Sequence, residues 1–310
     1  MVNWSSASVS EFFSDLKGVL GLSALQRVGR KVFADDCLGL AGQLAYFFLF
    51  SLFPFLMFLV ALAGLMIDDP ESLLRTLTQS MQDFLPTDVV GLLADYIDRT
   101  LQGATSSVLF FGIVATFWSG WAAADAIIKA TNRAYDLQET RPLWKLGGLS
   151  ISMILGFALL IAALALVVFG PEVGSYLQRL AGLPDAFVDL WGIVRWTLAF
   201  LAVTVALDGL YYLAPNADLP FKWVTPGGLT ATALMFISSM LLRLYVANFG
   251  HYHQIYGQLG AVMVLMLWLY YTALVVLIGV EMNAVLARMT EEHKGVDLVQ
   301  GEPLTDENNA

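Results

Sequence analysis

Ionisable side chains lie inside, or at the ends of, stretches of this chain that are otherwise apolar. Placing such a group within a membrane segment costs roughly 2.5–3.5 kcal/mol, so each needs a partner, access to water or a function. Several of them follow one another at steps of four, four and three residues, which is the spacing of one helix face. The full set is Asp125, Lys129, Arg133, Asp136, Asp208, Lys222 and Glu281.

The chemistry that this set would support is the binding of an anion. If the helices close into a bundle, we expect the set to converge in a charged vestibule on the cytoplasmic side. There Lys129, Arg133 and Lys222 would bind a phosphate or another anionic group. The alternative is structural: Asp125 with Lys129, and Arg133 with Asp136, are local ion pairs that mark where a helix leaves the bilayer.

Three acidic side chains of this set are candidate proton carriers. The chain has no ATP-binding motif, so active transport would use an ion gradient, with Asp125, Asp208 and Glu281 as the candidate carriers.

Pro54 interrupts the first long apolar stretch. Because proline removes a backbone donor and clashes with the preceding turn, it predicts a kink, which is either a static packing feature or a hinge.

Signatures of enzymes and metal sites are missing from the sequence. It contains no Walker loop, no HExxH and no Gly-x-Ser-x-Gly motif. Its single cysteine, Cys37, forbids an intramolecular disulfide and a CxxC site. His251 and His253 have no acidic residue or cysteine near them in sequence, which favours an aromatic interface belt over a metal site. We therefore predict no catalytic residue, no metal, no cofactor and no enzyme activity.

The elements that must position these residues are membrane-spanning helices. Apolar and aromatic residues make up 58% of the 310 positions and charged residues only 14%, against about 25% in soluble domains. Five uncharged stretches are long enough to cross a bilayer, and a sixth is interrupted by Arg195 and Asp208. The predicted class is all-α, a polytopic membrane protein with six transmembrane helices over residues 38–67, 101–124, 146–171, 190–214, 223–242 and 254–280.

The orientation follows from the lysines and arginines in the short flanking segments. Eleven of them fall on one side of the predicted spans and four on the other, and cytoplasmic loops are the ones enriched in these residues. Both termini are therefore predicted to be cytoplasmic. No cleavable signal precedes the first span, so this span is expected to be retained.

Three further segments complete the predicted organisation. Residues 1–37 form a cytoplasmic amphipathic segment with interfacial helices, and 38–285 form the six-helix domain. Within that domain, residues 68–102 are predicted to form a helical hairpin over the outer mouth, with Pro86 in its turn. Residues 286–310 form an acidic tail that is predicted to be disordered.

Several polar motifs within the apolar helices together resemble the YihY/virulence factor BrkB family. They are LAYFFLFSLFPF (44–55), WSGW (118–121), ATNRAYDL (130–137), ETRP (139–142), LYYLAPN (210–216), YVANFG (245–250), YGQLGA (256–261) and GVEMN (279–283). The resemblance implies a bacterial inner-membrane protein with about six helices. The family once carried a ribonuclease label, but this sequence has no carboxylate or histidine cluster and no basic aromatic surface for RNA. We therefore predict no nucleic-acid partner.

Two functions from different classes are consistent with these observations. The favoured one is a transporter or lipid translocase whose partners are membrane lipids, and anionic lipids in particular. The other is a non-transporting envelope scaffold that binds proteins through the outer hairpin and the acidic tail.

Overall fold

The structure is a computed structural model that describes residues 22–66, 75, 78–79, 87–103, 105–168, 178, 180, 184, 186–217, 219, 223–249 and 258–294. Within these ranges the regular secondary structure is entirely helical. The eight helices are α1 (Leu22–Ala34), α2 (Cys37–Met66), α3 (Thr87–Gln102), α4 (Ser106–Ala134), α5 (Leu143–Val168), α6 (Ala186–Leu213), α7 (Pro226–Phe249) and α8 (Gln258–Lys294).

Six of these helices are long and apolar enough to cross a membrane, which confirms the predicted number of spans. The shortest apolar stretch has 19 residues, or about 28 Å of helix, close to the thickness of a bilayer core. The stretches are Cys37–Leu62, Ser106–Ala134, Leu143–Ile161, Leu190–Leu213, Pro226–Val246 and Leu259–Thr290. We call the side of the bundle that is predicted to be cytoplasmic the Cys37 side, because α2 begins there at Cys37. The opposite side, where α2 ends, is the Met66 side.

Helix α8 occupies the centre of the bundle. It packs against α1, α2, α3, α4 and α7, and the other spanning helices follow one another around it. In its most apolar window 39% of the residues are buried, against 11% for α5. Ala273 and Leu277 of α8 pack with Cys37 and Ala41 of α2 and with Ala130 of α4. Small side chains at these positions let the helix backbones approach closely, as in other membrane bundles.

Helix α3 packs against α2 and α8. Its Val89 and Leu93 are buried with Ala45 of α2 and Leu265 of α8. Ala45 is eight residues, or about 12 Å, from the Cys37 end of α2. These contacts place α3 within the bundle, and the predicted hairpin over the outer mouth stays a prediction.

Helix α1 lies against the Cys37-side end of α8. Its Val28 is buried with Met282 and Val285, whereas Leu25 and Phe33 on other faces are exposed. This two-sided character fits the predicted interfacial helix. Residues 1–21, most of the first half of the predicted hairpin, His251, His253 and the predicted tail beyond Lys294 lie outside the described residues.

Candidate functional site

Asp125 and Lys129 face away from the bundle and pair with each other. Both lie in the last third of α4, which continues to Ala134, ten residues beyond the predicted end of this span. The Lys129 ammonium donates to the Asp125 carboxylate over 2.6 Å, with the side chains 70% and 43% exposed. This confirms the local ion pair that the sequence offered as the alternative to a shared vestibule.

The second local pair predicted on α4, between Arg133 and Asp136, is wrong. Asp136 lies just beyond the end of the helix with φ of 55°, and its carboxylate accepts from Lys31 of α1 over 3.1 Å and from Arg288 of α8. A left-handed residue turns the chain away from the helix, which separates Asp136 from the face that carries Arg133. Asp136 thus links three elements, and we call the Lys31, Asp136 and Arg288 group the inner bridge.

The inner bridge perturbs the protonation of Asp136, which lies outside the spans. Partial burial alone would raise the pKa of this carboxyl group, but the hydrogen bonds from Lys31 and from Arg288 outweigh it, so the pKa lies below its usual value. Asp136 therefore stays ionised at neutral pH. Arg133, in contrast, is exposed, and its charge acts on the buried Cys37 thiol only through space.

Asp208 is buried in the bundle and caps α7. It is 2% exposed, and its carboxylate accepts from the backbone N–H of Thr225 over 3.0 Å and from the Thr225 hydroxyl group. Thr225 in turn accepts from the N–H of Gly228 over 3.0 Å, and Pro226 occupies the first position of the helix. These residues satisfy backbone donors that would otherwise be unpaired at the start of α7.

Glu281 is buried on α8 next to α1 and α2. It is 2% exposed, and one of its oxygens accepts a 3.5 Å hydrogen bond from the Cys37 thiol. Asp35, in the turn after α1, lies close enough to act on it electrostatically. Asn283, two residues further along α8, bonds instead to Thr225 and Gly227 of α7.

The structure does not bring the two buried carboxyl groups together. Residues two apart on a helix point in directions about 200° apart. Asn283 faces the Asp208 group, so Glu281 faces the opposite way, towards α1 and α2. The predicted site residues that the structure describes thus fall into five places: the exposed Asp125–Lys129 pair, the exposed Arg133, the inner bridge, the α7 cap and the Glu281 position. The vestibule itself stays a prediction.

Lys222 and Pro54 belong to none of these places. Lys222 lies outside the described residues. Pro54 lies inside the continuous helix α2, and the preceding residue, Phe53, accepts a 2.8 Å hydrogen bond from the Tyr96 hydroxyl group of α3. Helix α3 is therefore attached to α2 beside the proline. A hinge at this position stays a prediction.

A polar cluster at the α4–α5 connection was not predicted as a site. The Arg141 guanidinium donates to both oxygens of Glu139, over 2.9 and 2.7 Å, and to the Ala214 carbonyl over 2.8 Å. Asn132 donates to Glu139 over 2.9 Å and accepts from the N–H of Asn216 over 2.6 Å. Together they fasten the α4–α5 connection to the end of α6.

The electrostatics of this cluster are those of a permanent ion pair. The hydrogen bond from Arg141 is the main reason that the pKa of Glu139 falls to about 2. The sequence carried a signal for the cluster, since Asn132, Glu139, Arg141 and Asn216 all lie in the quoted motifs. A second signal, Thr225-Pro226, was missed. A threonine followed by proline is typical of a helix start, and Thr225 is the hydrogen-bond partner of Asp208.

Comparison with known proteins identifies the family. Residues 28–299 match the sequence profile described as virulence factor BrkB. The chain belongs to the BrkB family. This confirms the resemblance seen in the motifs. Of the motif residues, Asn132 and Asn216 join α4 to the end of α6, and Asn283 joins α8 to the start of α7.

Relatives in this family are bacterial. YfkH of Bacillus subtilis, whose name describes it as ribonuclease-like, is 34% identical over 79% of this chain and 88% of its own length. PBPRA3489 of Photobacterium profundum, named a UPF0761 membrane protein, is 30% identical over 92% of this chain and 86% of its own. A UPF0761 membrane protein of Alkalilimnicola ehrlichii is 30% identical, but this chain spans 56% of its length. No solved structure matches the chain.

Proposed function

We propose that this BrkB-family protein is a transporter or lipid translocase of the bacterial inner membrane, with both termini in the cytoplasm. Its ligand carries an anionic group, which binds at the Cys37 side through Lys129 and Arg133. The observation that carries the proposal is the outward placement of these two cations on the face of α4, beside exposed aromatic side chains.

The outward face of α4 is aromatic in its middle and charged towards its Cys37-side end, so it resembles a lipid with apolar chains and a charged headgroup. Trp118, Trp121, Asp125 and Lys129 lie within about 80° of one another around the helix, by 100° per residue. Trp118 is 85% exposed and lies about 16 Å from Lys129 along the axis. An amphiphile whose chains lie along the tryptophans would place its headgroup at Lys129 and Arg133.

Both cations keep hydrogen-bonding capacity for such a headgroup. The Lys129 ammonium has three N–H donors, of which Asp125 takes one. The guanidinium of Arg133 is exposed and offers five N–H donors in a plane that suits two phosphate oxygens. Lys31, Arg141 and Arg288 are also held by carboxylates, and their side chains are 19%, 18% and 35% exposed, against 70% for Lys129. Lys129 and Arg133, the two cations of α4, are exposed and are therefore better placed for a ligand.

The proposal assigns the chain no enzymatic step. The ribonuclease-like name belongs to YfkH, and the part of this chain that the structure describes contains no group of three or more His, Cys, Asp or Glu side chains suited to a metal ion. The motif residues Asn132, Glu139 and Asn283 are used in hydrogen bonds between elements. Their placement supports a structural role for the family motifs.

Lipid binding tests the proposal directly. Native mass spectrometry of the purified protein with phosphatidylglycerol and phosphatidylethanolamine measures which lipid is retained, for wild type, Lys129→Ala and Arg133→Ala. The matched control is Arg99→Ala, which removes an exposed cation from α3 near the Met66 side. We expect selective retention of the anionic lipid that falls about tenfold in either α4 variant, as for the loss of one charge-assisted hydrogen bond. Equal retention in all four proteins would favour the envelope scaffold.

A further inference from the structure

Glu281 has a carboxyl oxygen that nothing in the described part of the chain satisfies. Its Oε2 atom is buried and has no hydrogen-bond partner there, while Oε1 accepts from the Cys37 thiol over 3.5 Å. Unpaired polar atoms are rare in buried positions, and each one calls for a physical explanation. A proton on the free oxygen would remove the uncompensated negative charge from the interior.

The groups around Glu281 come from each neighbouring element. Helix α1 contributes Lys31, and the turn that follows it contributes Asp35, which is 9% exposed. Helix α2 contributes Cys37, and helix α4 contributes the charge of Arg133, which acts on the thiol through space. Asp35 brings a second negative charge. The ammonium of Lys31 is already held by Asp35 over 2.9 Å and by Asp136 over 3.1 Å. Among the described residues, Lys31 therefore acts on Glu281 through space and forms no ion pair with it.

The inner bridge lies between Glu281 and the Cys37-side end of α8. Arg288 follows Glu281 by seven residues, so it lies two turns, or about 10 Å, along the same helix face. It donates to Asp136, which also holds Lys31. The bridge thus joins α1, α8 and the end of α4 on the water-facing side of the buried carboxyl group.

We infer that Glu281 is a proton-binding site that exchanges protons with the Cys37 side through Asp35 when the inner bridge opens. On binding, water at that side gives up a proton and Oε2 forms the O–H bond of a neutral carboxyl group. On release, the proton returns to that water and leaves a carboxylate. The carboxylate competes with Asp136 for Lys31, so ionisation of Glu281 weakens the bridge.

Infrared spectroscopy of the purified protein in detergent tests this inference without any lipid or anion ligand. Its failure is therefore separate from a failure of the proposed function. The observable is the C=O stretching band of a protonated carboxyl group, followed against pH and after transfer to D₂O. We expect a titrating band in the wild type that is lost in Glu281→Gln and retained in Asp208→Asn, which alters the other 2%-exposed carboxyl group. A band that survives in Glu281→Gln would overturn the inference.

Two further variants keep the test decisive if Glu281→Gln does not fold. Asp35→Asn removes the neighbouring negative charge, so the midpoint of the band should move to lower pH. Asp136→Asn weakens the inner bridge, so the band should exchange faster in D₂O than in the wild type. An unchanged midpoint together with an unchanged exchange rate would contradict the inference.

Discussion

Asn283 of α8 donates a 2.9 Å hydrogen bond to the hydroxyl oxygen of Thr225, the residue that caps α7. The same hydroxyl group donates to Asp208 of α6 and accepts from the N–H of Gly228. One threonine side chain therefore connects the start of α7 to α6 and to α8 on the Cys37 side. This junction accounts for the hydrogen bonding of the buried Asp208.

Replacement of Thr225 tests this junction. Thr225→Ala removes the hydroxyl group and leaves the Asp208 carboxylate and the Gly228 N–H without it, whereas Thr225→Ser keeps all three hydrogen bonds. We expect the alanine variant to lose about 1–2 kcal/mol of unfolding free energy and the serine variant much less. Thermal unfolding in detergent measures the difference. Equal Tm values for the two variants would show that the hydroxyl group does not hold the junction.

The crossing of α7 and α8 depends on glycine at Gly227. A Cβ atom there would collide with the carbonyl oxygen of Gly279 and with the Asn283 side chain. We expect Gly227→Ala to lower the unfolding free energy by about 1–3 kcal/mol, as for an overpacked core. Gly42→Ala in α2 is the control, because a Cβ there meets no atom within 4 Å. If both variants unfold at the wild-type Tm, the close crossing is wrong.

The ion pair of Glu139 with Arg141 predicts a dependence of stability on pH. Because the pKa of Glu139 is lowered from 4.5 to about 2, its contribution is present above about pH 4.5 and is lost as the pH falls towards 2. Glu139→Gln should cost about 2 kcal/mol at neutral pH and flatten the fall in Tm across that window. Tm measured against pH for both proteins checks this, and parallel curves would count against the ion pair.

The depth of α3 is tested by chemical labelling. Cys37 is buried and is the only cysteine in the sequence, so an introduced cysteine dominates the signal. A membrane-impermeant maleimide added from the Met66 side should label Gln102→Cys, whose position is exposed, and not Val89→Cys, whose position is buried. Equal labelling of the two would contradict the burial of Val89 between α2 and α8.

The sequence predicted the spans well and the partners of the charges poorly, for physical reasons. Hydrophobic length is a local property, so six spans can be counted from composition. The end of the second span was placed at residue 124, ten residues too early, because the charges of Asp125 and Lys129 pair on the surface of a helix that continues to Ala134. The partners of Asp136 come from α1 and α8, more than 100 residues away, and no local spacing reveals them.

The movement of an anionic lipid between leaflets tests the central claim most directly. Vesicles containing the purified protein and a fluorescent phosphatidylglycerol are treated with an impermeant quencher, and the fraction of lipid that becomes accessible is followed with time. We expect movement in the wild type and in Arg99→Ala, and a rate about tenfold lower in Arg133→Ala, for the loss of about 1.4 kcal/mol of headgroup binding. Wild-type vesicles that behave like protein-free vesicles, or an Arg133→Ala variant as fast as the wild type, would contradict it.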